Sequence, residues 1–178
     1  MGWRCSDTAE LSFTDVKVPV ENLVGAEDSG FRQIMEHFAS ERLILCAQAY
    51  STAERCLSLA VDWAKQRQTF GQPLSERQVI RHKLAEMARQ VHVARVYTRA
   101  TIQGWLDGTH TPADIAMAKN TAVYACNYVV NEAVQIFGGM GYMRESEVER
   151  HYRDSRILGI GGGTNEIMNE VIAKSVLG

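Results

Sequence analysis

Apolar residues recur at helical spacing along almost the whole chain after Ser29, and this period restricts the fold to packed helices. The first helix is predicted over residues 29–66 and ends before the breaker segment at 69–73. A second helix is predicted from Ser75, which has the S-x-x-Q spacing of a capping box with Gln78. The predicted buried faces consist of Phe31, Ile34, Phe38, Leu45, Ala49, Ala53, Leu57 and Ala60 in the first helix, and of Ile80, Leu84, Met87, Val91 and Ala94 in the second.

A third helix is predicted after the turn at residues 107–110. Thr111 is a favourable N-cap, Pro112 suits the first helical position, and the glycine pair at 138–139 ends the helix. The inward face is predicted to consist of Ile115, Ala118, Ala122, Cys126, Val129, Ala133 and Ile136.

The last part of the chain is predicted to be a helical arm interrupted by glycines. Ser146 and Glu149 have capping-box spacing for a short helix that ends near Arg156. After the glycines at 161–163, Thr164 is the predicted N-cap of the final helix. The predicted fold class is therefore all-α, an antiparallel four-helix bundle over residues 29–178.

Residues 1–28 differ from the rest of the chain. Apolar and polar residues alternate over residues 9–20, which predicts a β-strand, and Pro19 restricts it to a sheet edge or a strand end. One strand ahead of a helical domain has no partner in this sequence. We therefore interpret residues 1–28 as a linker and the remnant of a β domain that belongs to a larger protein.

Composition excludes several classes of function. The formal net charge is -2, from 19 basic and 21 acidic residues without a basic stripe, so nucleic acid is not an expected partner. No apolar run approaches the roughly 20 residues of a membrane span. The four cysteines lack C-x-x-C spacing and the five histidines lack zinc-like spacing, so no metal site is predicted. Scattered, reduced cysteines suit an intracellular compartment.

Glu41 is the first candidate for chemistry. His37 and Phe38 lie one turn before it, and Ile44 and Leu45 lie one turn after it, so its carboxylate projects close to an apolar stripe. Partial loss of hydration there would make the carboxylate a better base. From periodicity alone, a solvated glutamate at the edge of the stripe is the favoured interpretation.

A second cluster joins Arg67, Thr69 and Phe70 to Arg77 and Gln78 at the start of the second helix. Cations, a hydroxyl, an aromatic ring and a helix N-terminus together suit a diphosphate attached to a ring system. A helix–helix turn with solvated polar residues has the same composition, so both interpretations stay open.

The third cluster is the glycine run at 161–163, followed by Thr164 and Glu166. Glycines allow close backbone approach, and a helix start offers free N–H groups to an oxyanion; simple punctuation between two helices stays open. The run is neither a Walker A loop nor a G-x-G-x-x-G motif after a strand. No G-x-S-x-G elbow is present either, so hydrolase chemistry has no visible nucleophile.

Several motifs occur in an order that resembles the acyl-CoA dehydrogenases. The lead-in GW..SDTAEL.F.DV.VP..N..G resembles the end of that family's middle β domain. The later motifs resemble its C-terminal helical domain: RQTFGQPL (67–74), LAEMA (84–88), AVQIFGGMGY (133–142), YRDSRI (152–157) and GGTNEIM (162–168).

The resemblance implies an FAD-dependent oxidoreductase of fatty-acid β-oxidation. Such an enzyme removes the α-proton of an acyl-CoA and transfers a β-hydrogen as hydride to the flavin, which gives a trans-2-enoyl-CoA. The family is typically a homotetramer that passes electrons to an electron-transfer flavoprotein, in the bacterial cytoplasm or the mitochondrial matrix. By motif match, the residues implied to contact FAD are Arg67, Thr69, Phe70, Arg77, Gln78, Gln135, Gly138, Gly139, Thr164 and Glu166.

One departure from the family's common pattern identifies the base. Many members carry the catalytic glutamate in a Tyr-Glu-Gly-Thr string, where this chain has Gly162. A subset resembling the long-chain and isovaleryl-CoA dehydrogenases takes its glutamate from a Glu-Arg-Leu string in the first helix, and Glu41 begins such a string here. Glu41 is therefore the expected base, and a glycine at 162 is expected to leave room for it. Arg42, Gly162 and Gly163 are expected to line the acyl-CoA site, with the Gly162 N–H bonding the thioester carbonyl.

Two alternatives to dehydrogenation remain open at this point. An acyl-CoA oxidase or a nitroalkane-oxidase-like flavoenzyme would keep the fold and change the electron acceptor or the substrate. A helical oligomerisation module would carry no chemistry of its own, and this alternative applies to the chain in isolation.

Overall fold

A computed structural model describes all 178 residues, and its regular structure is almost entirely helical. Six helices occur along the chain, together with short 3-10 turns and one small hairpin. The helices are α1 (Gly30–Gln66), α2 (Gln78–Leu106), α3 (Pro112–Phe137), α4 (Gly139–Tyr142), α5 (Glu147–Asp154) and α6 (Asn165–Leu177), and the hairpin strands are β1 (Gln68–Thr69) and β2 (Gln72–Pro73).

Three long antiparallel helices form the body of the bundle, and α3 lies at its centre. Both α1 and α2 pack against α3, and so do α5 and α6 of the last arm. Small residues such as Ala53, Ala60 and Ala122 are fully buried, which lets the helix backbones approach closely. The all-α bundle is thus confirmed, with a last arm that consists of α5, the 3-10 turn Ser155–Gly159 and α6.

The sequence signals for α3 are confirmed in detail. Thr111 forms a reciprocal capping box with Asp114, and Pro112 occupies the first helical position. The helix ends at Gly138, whose φ is 62°. All seven residues of the predicted inward face are buried: Ile115, Ala118, Ala122, Cys126, Val129, Ala133 and Ile136.

Two predicted caps are wrong in their hydrogen bonds. Ser75 lies inside the 3-10 turn Leu74–Glu76, so α2 begins after Arg77, which has an extended backbone and provides no side-chain cap. Ser146 does occupy the N-cap of α5, but its hydroxyl makes no hydrogen bond. Glu149, its predicted partner, is held instead by Arg153 one turn later.

The predicted strand over residues 9–20 is not formed. These residues carry no ladder hydrogen bonds and are exposed, because the chain offers no second strand to pair with them. The beginning of the chain is nevertheless attached to the bundle, where the Trp3 N–H donates to Asp154 Oδ1 at 2.7 Å. Gly2 lies so close to the backbone of Arg153 that a Cβ would come within 2.5 Å of its carbonyl oxygen.

The first two turns of α1 are also more exposed than the apolar line predicts. Phe31 is 74% exposed and Ile34 is 51% exposed, whereas burial is complete at Ala49 and Ala53 further along the helix. The bundle does not extend beside this end of α1. No helix contains a stretch apolar enough, over a sufficient length, to cross a bilayer.

Candidate functional site

The candidate residues fall into two separate regions. We call the first the glycine site; it consists of Glu41, Arg42, Lys119 and the turn at residues 161–164. We call the second the hairpin site; it consists of residues 67–78 together with Gln135, Gly138 and Gly139.

The glycine site is built on a turn whose backbone conformation favours glycine. Gly162 and Gly163 have φ values of 65° and 99°, in the region that disfavours side chains. A Cβ at Gly162 would lie 2.8 Å from Leu45 Cδ1, and a Cβ at Gly163 would lie 2.9 Å from Met168 Cε. The space beside Gly162 is therefore filled by α1 rather than left open. The glycine brings the turn into contact with the helix that carries Glu41.

Arg42 ties this turn to α1. Its Nε donates to the carbonyl oxygen of Gly162 at 2.8 Å, and its guanidinium lies 5.3 Å from the centre of the Phe38 ring. Arg42 is half-buried, and this burial lowers the pKa of its guanidinium, while the negative charge of Glu41 acts in the opposite direction. Glu41 itself is exposed.

The N–H groups of Gly162, Gly163 and Thr164 in this turn have no backbone partner. The Gly161 N–H donates to the Ile157 carbonyl at 2.8 Å, but the Gly162 N–H makes no backbone hydrogen bond. An unbonded N–H on a turn held by neighbouring side chains is able to donate to a carbonyl or an oxyanion. It lies in the same turn whose carbonyl Arg42 holds.

Thr164 is the last residue of the glycine site, and Glu166 follows it on α6. The Thr164 hydroxyl accepts from the Ile167 N–H at 3.3 Å, which confirms the predicted N-cap of α6. Hydrogen bonds from the Glu166 backbone N–H and from Thr164 lower the pKa of the Glu166 carboxyl. The carboxylate stays ionised and exposed on the first turn of α6.

Lys119 is a member of the glycine site that the sequence interpretation missed. It lies on α3 with no exposed surface, and its Nζ donates to the carbonyl oxygen of Gly163. Burial and the positive charge of Arg42 lower the pKa of the Lys119 ammonium. The available signal was its position four residues after Ile115 and three before Ala122, on the buried face of α3.

The hairpin site displays an aromatic ring. Phe70 and Gly71 form the tip between β1 and β2, with φ values of 48° and 80°, as in a type I′ turn. The Phe70 side chain is 98% exposed. Arg77 donates to the Thr69 carbonyl at 2.7 Å, and its guanidinium lies 5.8 Å from the Phe70 ring centre.

The end of α3 lies beside this hairpin. The ring of Trp63 on α1 stacks on that of Phe137 on α3, with centroids 4.7 Å apart, and Lys83 of α2 pairs with Glu132 of α3. Gln135, Gly138 and Gly139 are all exposed here, and a Cβ at either glycine would meet no atom within 4 Å. Gln135 also borders a cleft of about 690 Å³ lined by residues that include Asn131, Tyr142, Arg144 and Arg153.

The hairpin site has the chemistry that a flavin dinucleotide requires. Its exposed ring is suited to stack on a planar heterocycle. Exposed Arg67, with Arg77 and the start of α2 near Gln78, offers cations and backbone N–H groups to a diphosphate. The residues present therefore fit the cofactor that the resemblance implies.

The two sites are far apart within one chain. Glu41 and Gln66 belong to the same continuous helix, and 25 residues at 1.5 Å per residue separate them by roughly 38 Å. Thr164 and Glu166 lie with the first site, and the other implied FAD residues lie with the second.

Comparison with known proteins agrees with both the fold and the motifs. The family model described as "Acyl-CoA dehydrogenase, C-terminal domain" matches residues 28–177. The short-chain specific acyl-CoA dehydrogenase of Megasphaera elsdenii is 44% identical over 99% of this chain and 46% of its own length. The mitochondrial long-chain specific acyl-CoA dehydrogenase of Mus musculus is 37% identical over 99% of this chain and 41% of its own length.

A solved structure gives the same result in three dimensions. The crystal structure of a probable acyl CoA dehydrogenase from Mycobacterium abscessus superposes with a TM-score of 0.96 at 74% identity, over 98% of this chain and 46% of that one. This chain spans less than half the length of the relatives that it matches. Because the family model covers most of the chain and the superposition covers nearly all of it, the chain belongs to the acyl-CoA dehydrogenase family and has the fold of that family's helical C-terminal domain.

Proposed function

We propose that residues 29–178 act as the C-terminal helical domain of a flavin-dependent acyl-CoA dehydrogenase, with residues 1–28 as the end of its middle β domain. The reaction converts an acyl-CoA thioester into a trans-2-enoyl-CoA. The α-carbon loses a proton to Glu41, and the β-carbon loses a hydride, so the two carbons become joined by a double bond. FAD, when bound, supplies the hydride acceptor.

The observation that carries this proposal is the position of Glu41 at the glycine site. Glu41 is exposed on α1, the helix that contacts Gly162. The Gly162 N–H has no backbone hydrogen-bond partner. We propose that a thioester whose carbonyl oxygen accepts from the Gly162 N–H presents its α-carbon to Glu41. Negative charge that develops on this oxygen as the α-proton leaves would then be stabilised by the same hydrogen bond.

We propose further that each flavin is held by two copies of the chain in a homotetramer. Thr164 and Glu166 would contact the flavin that reacts at Glu41 of the same copy. The hairpin site of a neighbouring copy would contact the same cofactor through Arg67, Thr69, Phe70, Arg77 and Gln78, with Gln135, Gly138 and Gly139 at the adenosine diphosphate end. The separation of roughly 38 Å between the two sites supports this division, because in a single chain one flavin would have to reach both sites across that distance.

Glu41→Gln in the flavin-loaded full-length protein tests the assignment of the base. Anaerobic mixing with acyl-CoA is expected to bleach the flavin at least about 1,000-fold more slowly than in the parent, because an amide does not accept the proton. Glu36→Gln is the matched control, since Glu36 is an exposed glutamate on the same helix, and it is expected to react at the parent rate. Reduction of the Glu41→Gln flavin at the parent rate would refute the assignment.

The electron acceptor is the second part of the proposal. An electron-transfer flavoprotein is expected to reoxidise the reduced enzyme faster than oxygen does, in the bacterial cytoplasm or the mitochondrial matrix. Faster reoxidation by oxygen would identify an oxidase on the same fold. Because one relative is named short-chain specific and another long-chain specific, a panel of short, branched and long acyl-CoA substrates is the measurement that assigns the chain length.

A further inference from the structure

Lys119 is buried at a position where an apolar side chain would be the ordinary choice. It has no exposed surface, and its neighbours on the inward face of α3 include Ile115, Ala118 and Ala122. An ammonium loses its hydration when it is buried, and this loss is offset only by close hydrogen bonds or opposite charges. Stability alone is therefore a poor reason for a lysine here. A specific partner is needed to explain it.

That partner is the backbone of the glycine turn. The Lys119 ammonium donates to the Gly163 carbonyl, and the Arg42 guanidinium donates to the Gly162 carbonyl at 2.8 Å. Two cations, one from α3 and one from α1, thus hold successive carbonyls of the turn. The stems also line it, because Cε of Lys119 lies 3.8 Å and Cγ of Arg42 lies 3.7 Å from the place of a Gly162 Cβ.

Hydrogen bonds that fix the backbone matter most in a turn made of glycines. Gly161, Gly162 and Gly163 lack side chains that would limit their backbone angles, so the orientation of each N–H is intrinsically loose. Fixing two adjacent carbonyls defines the planes of the peptides that join Gly162 to Thr164. The Gly162 N–H belongs to the preceding peptide, which lies between the Gly161 N–H bonded to Ile157 and the Gly162 carbonyl bonded by Arg42, so it is anchored on both sides.

We propose that Lys119 is a positioning residue for the dehydrogenation, which with Arg42 holds the glycine turn so that the Gly162 N–H meets the thioester carbonyl while Glu41 faces the α-carbon. This inference rests on the proposed function and adds to it a residue that touches neither substrate nor flavin.

The decisive variants are Lys119→Met and Lys119→Arg in the flavin-loaded full-length protein. Methionine has a similar length and removes the buried charge, so the fold is expected to survive. Turnover per bound flavin is expected to fall roughly 10- to 100-fold with little change in KM, because the reacting groups lose their alignment. Lys119→Arg keeps a buried cation and is expected to restore most of this loss.

Asn120→Ala is the matched control for a merely structural role. Asn120 is the next residue on α3 and is also buried, but it donates to the Asn165 carbonyl and to Asn169 Oδ1 on α6 rather than to the glycine turn. Its loss is expected to lower the melting temperature with a smaller effect on turnover per flavin. If Asn120→Ala and Lys119→Met reduce turnover equally, the positioning role is refuted.

A double-mutant cycle with Arg42→Met sharpens the test. Because Arg42 and Lys119 hold the same turn, their effects on kcat are expected to be non-additive, whereas independent roles predict additivity. If Lys119→Met does not retain flavin, Lys119→Gln takes its place in the cycle and is read by the same criteria. Parent-level turnover of either variant, or additive effects, would overturn the proposal.

Amide hydrogen exchange separates this inference from the proposed function. Loss of the Lys119 contact is expected to accelerate exchange at Gly161, Ile167 and Met168, whose N–H groups are bonded on either side of the turn. This readout does not depend on catalysis. If Glu41→Gln stays active while exchange accelerates in Lys119→Met, the proposed base is wrong and the positioning role of Lys119 is supported. If Glu41→Gln is inactive and exchange in Lys119→Met is unchanged, only the positioning role of Lys119 is wrong.

Discussion

The glycine site and the hairpin site differ in how far each is completed by the chain itself. At the glycine site, two successive carbonyls are bonded by Arg42 and Lys119, and both glycines are in contact with neighbouring side chains. At the hairpin site, Phe70 is almost fully exposed, and the space around Gly138 and Gly139 is open. The geometry of the glycine site is therefore fixed by contacts within the chain, whereas the groups of the hairpin site are exposed.

This difference predicts that the two sites tolerate substitution differently. A side chain added at the glycine site meets atoms of the same chain, so the effect appears in folding. A side chain removed at the hairpin site breaks few contacts within the chain, so the effect appears only when something is bound there. The three predictions below test this contrast, beginning with the largest effect.

Gly162→Ala is expected to lower the free energy of unfolding by about 2–4 kcal/mol. The substitution adds left-handed backbone strain and places a methyl group 2.8 Å from Leu45 Cδ1. Gly71→Ala is the matched control, because Gly71 also has a positive φ but meets no atom within 4 Å, and it is expected to cost about 1 kcal/mol. Denaturant unfolding of the three proteins measures the difference. Equal losses at both positions would show that packing against α1 contributes nothing.

Phe70→Ala is expected to weaken flavin binding by the full-length protein about 10-fold, because one aromatic stacking contact is lost. The melting temperature of the protein without flavin is expected to stay unchanged, since the ring is 98% exposed. Phe137→Ala provides the contrast, because its ring stacks on Trp63 and its loss should destabilise the fold. Unchanged flavin affinity in Phe70→Ala would argue against the hairpin site as a cofactor contact.

The smallest expected effect concerns the ion pair between the two sites. Arg55 on α1 bonds Glu147 at the start of α5 and lowers the pKa of that carboxyl to about 2. A depressed folded-state pKa contributes stability above the ordinary value near 4.5, and this contribution is lost as the pH falls from there towards 2. Arg55→Met is expected to flatten the dependence of stability on pH in this window. Thermal unfolding at pH 5 and pH 3 measures it, and an identical slope in both proteins would contradict the prediction.

Much of the bundle was predictable because helical period and capping chemistry are local. The limits of α1 and the capping box at Thr111 follow from neighbours a few residues apart. Ser75 was misassigned because a 3-10 turn competes with the first turn of a helix, and spacing alone does not separate the two. The strand at residues 9–20 was predicted from alternation, but a strand exists only when a partner supplies hydrogen bonds.

The candidate site was predictable only where a motif carried it. The Glu-Arg-Leu string and the glycine run are both visible in sequence, and the structure brings Arg42 and Gly162 together across 120 positions of the chain. Lys119 belongs to no motif that the interpretation used. Its role depends on a contact between α3 and a turn 44 residues later, which no local pattern encodes.

The attachment of Trp3 to Asp154 limits the reach of the segment that follows it. Residues 4–29 are fastened to the bundle at both ends, at α5 and at the start of α1. A fully stretched loop of this length has its midpoint no more than roughly 45 Å from its attachments. Any sheet that recruits residues 9–20 must therefore lie within this distance of the bundle.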